Sequence, residues 1–131
     1  DAITSVRYAE RAGAWFARLA QPNATVLCDQ HVLILRTILW GLYHCPATPA
    51  LADVVADVAV TGYRTVPAHT LGHKPKGHCS TALGRACLAY LERIVPAFAL
   101  PALSRIAATP PSPRAQKAIA AALARAQRQA R

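Results

Sequence analysis

The sequence predicts an α+β domain, a small antiparallel β-sheet packed with a helix that carries a cysteine. Three observations lead there. The run 24–44 is dense in Val, Ile, Leu, Trp and Tyr without a long polar gap, as strands buried on both faces are. Within it, His31-Val32-Leu33-Ile34-Leu35 returns through Ile38-Leu39-Trp40-Gly41-Leu42-Tyr43 to His44, which reads as the two strands of a hairpin. Finally, Cys79 stands directly before Ser80-Thr81-Ala82-Leu83-Gly84-Arg85-Ala86-Cys87-Leu88-Ala89-Tyr90-Leu91, which reads as a helix.

The remaining elements follow in order. Residues 3–20 place Ile3, Val6, Ala9, Gly13, Phe16, Ala17 and Ala20 at three- and four-residue spacing, an amphipathic helix ending before Gln21-Pro22-Asn23. Cys45-Pro46-Ala47-Thr48-Pro49 ends the sheet run, because proline cannot donate to a ladder. The stretch 51–60 fits either a helix or a strand, its Val content favouring extended chain toward Val60, and Gly62-Tyr63-Arg64-Thr65-Val66 reads as a further strand. From Pro67 to Gly77 the chain reads as a basic loop. Pro96 and Pro101 break the apolar run 94–103, and Thr109-Pro110-Pro111-Ser112-Pro113 reads as a linker. These marks divide the chain into a domain, 1–108, and a basic Ala/Arg-rich tail, 109–131, expected to be helical but loosely held.

With 131 residues, 53% of them hydrophobic, the chain can bury a core. Its 15 Lys and Arg against 6 Asp and Glu give a formal charge of +9, which suits acidic partners such as RNA or an anionic lipid surface. The absence of Met fits a segment released from a longer polyprotein, or a trimmed chain. No signal peptide pattern precedes Cys28, Cys45, Cys79 and Cys87, so reduced thiols and a cytoplasmic setting are expected. No stretch reaches the roughly 18 apolar residues of a spanning helix.

A thiol at a helix N-terminus sits where free backbone N–H groups lower its pKa, and the thiolate is the nucleophile. Cys79 has that position, and His31 and His44 supply the residue types that could hold its proton and orient the proton holder. The run from His31 to His44, with a cysteine at a helix start beyond it, resembles the H-box/NC proteins. These are the lecithin:retinol acyltransferase-like and HRAS-like suppressor enzymes and certain picornavirus 2A proteins of the permuted papain-like NlpC/P60 group. The alanine-, proline- and arginine-rich character is most similar to a 2A protein of the kobuvirus kind.

The resemblance implies Cys79 as nucleophile, His31 as general base and His44 as the orienting third member. It implies transfer or hydrolysis of phospholipid acyl groups through a thioester, without polyprotein cleavage, and a viral protein supporting genome replication or encapsidation in the host cytoplasm, with host proteins or membranes as partners. His78 stands where the family carries asparagine, and the fold alone does not imply turnover.

Two other chemistries compete. Cys28-x-x-His31 has zinc-ligand spacing, but no matching CxxC or HxxxH half accompanies it, and no metal or cofactor is expected. The alternative to an enzyme is a basic module that binds RNA, host proteins or membranes and keeps the Cys-His site as a relic. Arg114, Lys117, Arg125, Arg128 and Arg131 are its RNA-binding candidates, five cations with no acid among them and no aromatic platform.

Overall fold

The computed structural model describes residues 2–19, 29–66, 77–78 and 80–131. Among them the chain forms α1 (Ala2–Leu19), α2 (Asp29–Leu42), α3 (Pro49–Tyr63), β1 (Thr65–Val66), β2 (Gly77–His78), α4 (Thr81–Arg93), α5 (Pro96–Ala108) and α6 (Pro113–Gln129). The expected α+β fold with its antiparallel sheet, and with it the permuted papain-like architecture, is therefore not formed. Among the described residues the strand pairing is one antiparallel match of two residues a side, Thr65 opposite His78 and Val66 opposite Gly77.

The correction turns on 24–44. Val32, Leu35, Leu39 and Leu42 are buried, while Leu33, Ile34, Arg36, Thr37 and Trp40 face outward. Burial at three- and four-residue steps is a helical stripe, so Asp29–Leu42 is one helix rather than a hairpin. A run apolar on all sides hides its period, since any template finds hydrophobic residues where it looks. The exposed Leu33, Ile34 and Trp40 made the stripe unreadable.

Helix α3 is the centre of the molecule. Leu51, Ala52, Val55, Ala56, Val58, Ala59 and Tyr63 are all buried, and α1, α4, α5 and α6 pack on it. A helix enclosed on all but its Asp53–Asp57 side reads as a nearly continuous apolar run, and tertiary burial here overrides the β-preference of its valines. Thr48 caps it, its Oγ1 accepting from the Leu51 N–H at 3.1 Å, with Pro49 in the first turn. The strand expected over 62–66 is mostly the end of this helix, with only Thr65 and Val66 extended.

Two helix starts converge on the C-terminal end of α3. The Ser80 N–H donates to Gly62 O at 2.8 Å, and the Ser112 hydroxyl donates to Tyr63 O at 3.4 Å. Each serine also caps its own helix, Ser80 Oγ accepting from Leu83 N–H at 3.2 Å and Ser112 Oγ from Ala115 N–H at 3.1 Å. The carbonyl-rich end of α3 thus faces the amide-rich ends of α4 and α6, a favourable dipole arrangement. The approach of α4 depends on glycine: a Cβ on Gly62 would stand 2.6 Å from Ser80 O and 2.8 Å from Gly84 N, both backbone atoms.

Proline does not stop the run 94–103. Pro96 takes the first turn of α5, where its missing N–H costs nothing, and Pro101 lies inside the helix on its exposed side. Residues 109–131 join the same core: α6 packs on α5 and α4 and buries Ala115, Ile119, Ala122 and Ala126. Four small or branched apolar residues on one face are enough to seat this otherwise polar helix. Arg105 on α5 pairs with Asp57 at 2.8 Å and Asp53 at 3.6 Å on α3, an exposed cluster of small energetic weight. No helix among the described residues is long and apolar enough to cross a membrane.

Candidate polyanion-binding groove

Helices α4 and α6 start together at the end of α3 and run side by side in the same direction, leaving a furrow between them. Its volume is about 480 Å³. Arg85 and Glu92 enter it from α4, and Arg114, Lys117 and Arg125 from α6, with Tyr63, Leu88, Ala89, Ala118 and Ala121 forming floor and walls. All four cations are exposed.

The spacing of α6 explains the row. Arg114, Lys117, Arg125 and Arg128 fall on one face because their separations are near multiples of 3.6 residues, and the row spans about 21 Å at 1.5 Å per residue. Alanines at 118 and 121 keep the centre of the furrow low, so a ligand backbone could approach the cations on both sides.

Glu92 is the only acid among the described residues lining the furrow. Arg125 Nε and Nη2 donate to its Oε1 at 2.9 and 2.7 Å, and this bond holds the guanidinium charged with a pKa above its ordinary value. Arg85, Arg114 and Lys117 leave the furrow with a clear cationic excess. Tyr63 reports the same field: burial pushes its phenol up, and the Arg85 and Arg114 guanidiniums pull it back.

Of the expected RNA contacts, Arg114, Lys117 and Arg125 line the furrow, Arg128 extends the row, and Arg131 is exposed beyond the end of α6. Sequence reading missed Arg85, since nothing in the sequence says which helix packs against the tail. Its seven-residue separation from Glu92 does place both on one face of α4.

Of the expected catalytic set, Cys79, His31 and His44, only the backbone placement of the two histidines is described. Cys79 lies outside the described residues. His31 sits near the start of α2 and His44 just past its end, so helical rise separates their backbones by roughly 20 Å along the axis, where a hairpin would have set them opposite each other. The His44 ring instead meets Trp40 edge to face, with centroids 5.0 Å apart.

Two thiols are described, and neither is activated. Cys87 is fully enclosed, and burial drives its thiol far above the usual range. Cys45 donates to Gly41 O at 3.6 Å, and burial raises it too. Among the described residues no three His, Cys, Asp or Glu side chains converge as metal ligands, and Cys28 of the zinc alternative lies outside them. Comparison with protein-family models, curated proteins and solved structures finds no match to this chain, so the furrow between α4 and α6 stands on its own geometry.

Proposed function

We propose that the chain is a non-enzymatic module that binds the phosphate backbone of RNA along the α4–α6 furrow. The observation behind this reading is the meeting of Arg85, Arg114, Lys117 and Arg125 around a low alanine floor with Glu92 as the sole acid among the described residues. Guanidinium groups suit this ligand because their planar donors pair with phosphate oxygens two at a time. Tyr63 is only 2% exposed and offers no ring for a base to stack on, so contacts are to phosphate and carry no base preference. Acyl transfer is set aside, because the hairpin that would have joined the two histidines is a helix.

The test is fluorescence anisotropy with labelled single-stranded oligoribonucleotides of different composition. Wild type should bind oligo-U and oligo-A within a few-fold of each other, and Arg114→Ala/Lys117→Ala should weaken both equally. Unchanged binding in the double variant, or loss for one base composition alone, defeats the reading.

A further inference from the structure

We infer that the outer face of α1 and α2 docks on an anionic membrane surface. The chain contains two tryptophans, and both stand exposed there: Trp15 on α1 at 57% and Trp40 on α2 at 64%. On α2, the helix of Trp40, Leu33 at 63% and Ile34 at 51% are exposed as well. Large apolar side chains left this open on neighbouring positions mark a surface that is covered in use.

The setting of these residues identifies what covers them. Arg7 and Arg11 flank Trp15 in a hollow between α1 and Ile38, and Arg36 flanks Leu33 and Trp40 in a hollow between α2 and α4. Tryptophan with arginine around an aliphatic centre is the composition that settles at the headgroup level of a bilayer, rings and aliphatic groups entering the acyl boundary while guanidiniums meet anionic headgroups. A second copy of the chain fits poorly, because a twofold contact sets this patch, whose charged members are Arg7, Arg11 and Arg36, against an equally cationic one. RNA fits poorly as well, because Leu33 and Ile34 offer no π-face to a base.

The face is rigid. The Tyr8 hydroxyl donates to Ile38 O at 2.7 Å, and Gly41 lies so close under the Tyr8 ring that a Cβ there would collide with the hydroxyl. His44 braces Trp40 from the side. The docking surface is therefore presented ready-made, with little ordering cost on binding.

Because both tryptophans lie on the face, their emission reports its burial directly. Full-length protein titrated with vesicles of phosphatidylcholine containing 30% phosphatidylserine should show a blue shift and quenching by brominated acyl chains. Partitioning should be stronger than onto pure phosphatidylcholine by about a hundredfold, as three arginines near a charged surface imply. Leu33→Glu/Ile34→Glu should abolish the shift with the helical circular dichroism intact, and Arg7→Ala/Arg11→Ala/Arg36→Ala should erase most of the preference for phosphatidylserine. Arg114→Ala/Lys117→Ala should leave vesicle binding within a few-fold. The inference is overturned by emission that ignores anionic vesicles, by a blue shift that follows protein concentration without lipid alongside a doubled mass in light scattering, or by a shift produced by RNA alone.

Discussion

The α4–α6 furrow and the outer face of α1–α2 are both basic, yet they keep different company. In the furrow, cations surround alanines and a buried tyrosine, and one arginine is already paired with Glu92. On the outer face, cations surround exposed Trp15, Leu33, Ile34 and Trp40. The two meet along α4, where Ala89 borders both the furrow and the hollow beside Trp40. Net charge alone would have assigned one kind of partner to the whole molecule. The neighbours of each cation separate a surface that can only neutralise phosphate from one that can also bury hydrocarbon.

The largest break in this comparison comes from Ile119→Ala. Ile119 is fully buried beneath α6, and its loss should cost about 2–5 kcal/mol in chemical denaturation. Loosening α6 removes one wall of the furrow, so RNA affinity should fall with stability while tryptophan emission of the folded protein stays unchanged. An emission change equal to that of unfolding would mean that the two surfaces are not separable.

Gly41→Ala attacks the other side. The new methyl displaces the Tyr8 hydroxyl from Ile38 O, at a cost of about 1 kcal/mol for the lost hydrogen bond. Vesicle binding should weaken with RNA affinity intact, measured on one preparation. Glu92→Gln sharpens the contrast in the opposite direction by freeing the Arg125 guanidinium for phosphate. Removing this competing carboxylate should tighten single-stranded RNA binding at a fixed salt concentration, with Arg125 already among the four cations that set the slope.

The smallest effect at neutral pH belongs to Tyr90, whose hydroxyl is buried without a hydrogen-bond partner among the described residues. Tyr90→Phe should leave stability unchanged or slightly raised at pH 7, because it removes an unsatisfied polar group. Burial, aided by Cys45 and Tyr43, pushes the Tyr90 phenol from 10.0 up to about 12. A raised acid pKa favours the neutral form, so this contribution is full below pH 10 and fades as pH rises toward 12. Thermal melts followed through that window should lose less stability in Tyr90→Phe than in wild type.

Helix formation was legible wherever one face of a segment is polar. The stripe of 3–20 became α1, and the residues after Cys79 became α4 behind a serine cap. The tail's helix propensity became α6, but its seating has no sequence signal, because Ala115, Ala122 and Ala126 count as core only once α4 and α5 lie above them. Legibility failed in 29–63, where α2 and α3 carry apolar residues nearly all round and β-branched valine and isoleucine imitate strands. The site followed the same division. Basic residues of the tail could be listed from sequence, but Arg85 entered only with packing, and the His31–His44 pairing dissolved when the intervening run coiled.

The most direct measurement of the central claim is the salt dependence of single-stranded RNA binding between 50 and 200 mM, for wild type and Arg114→Ala/Lys117→Ala side by side. Four phosphate contacts predict a wild-type slope of about −2.8 and an affinity loss of about fifty-fold across that range. The double variant should retain about half the slope and lose only about sevenfold. Equal slopes for the two proteins would contradict the assignment of RNA to the α4–α6 furrow.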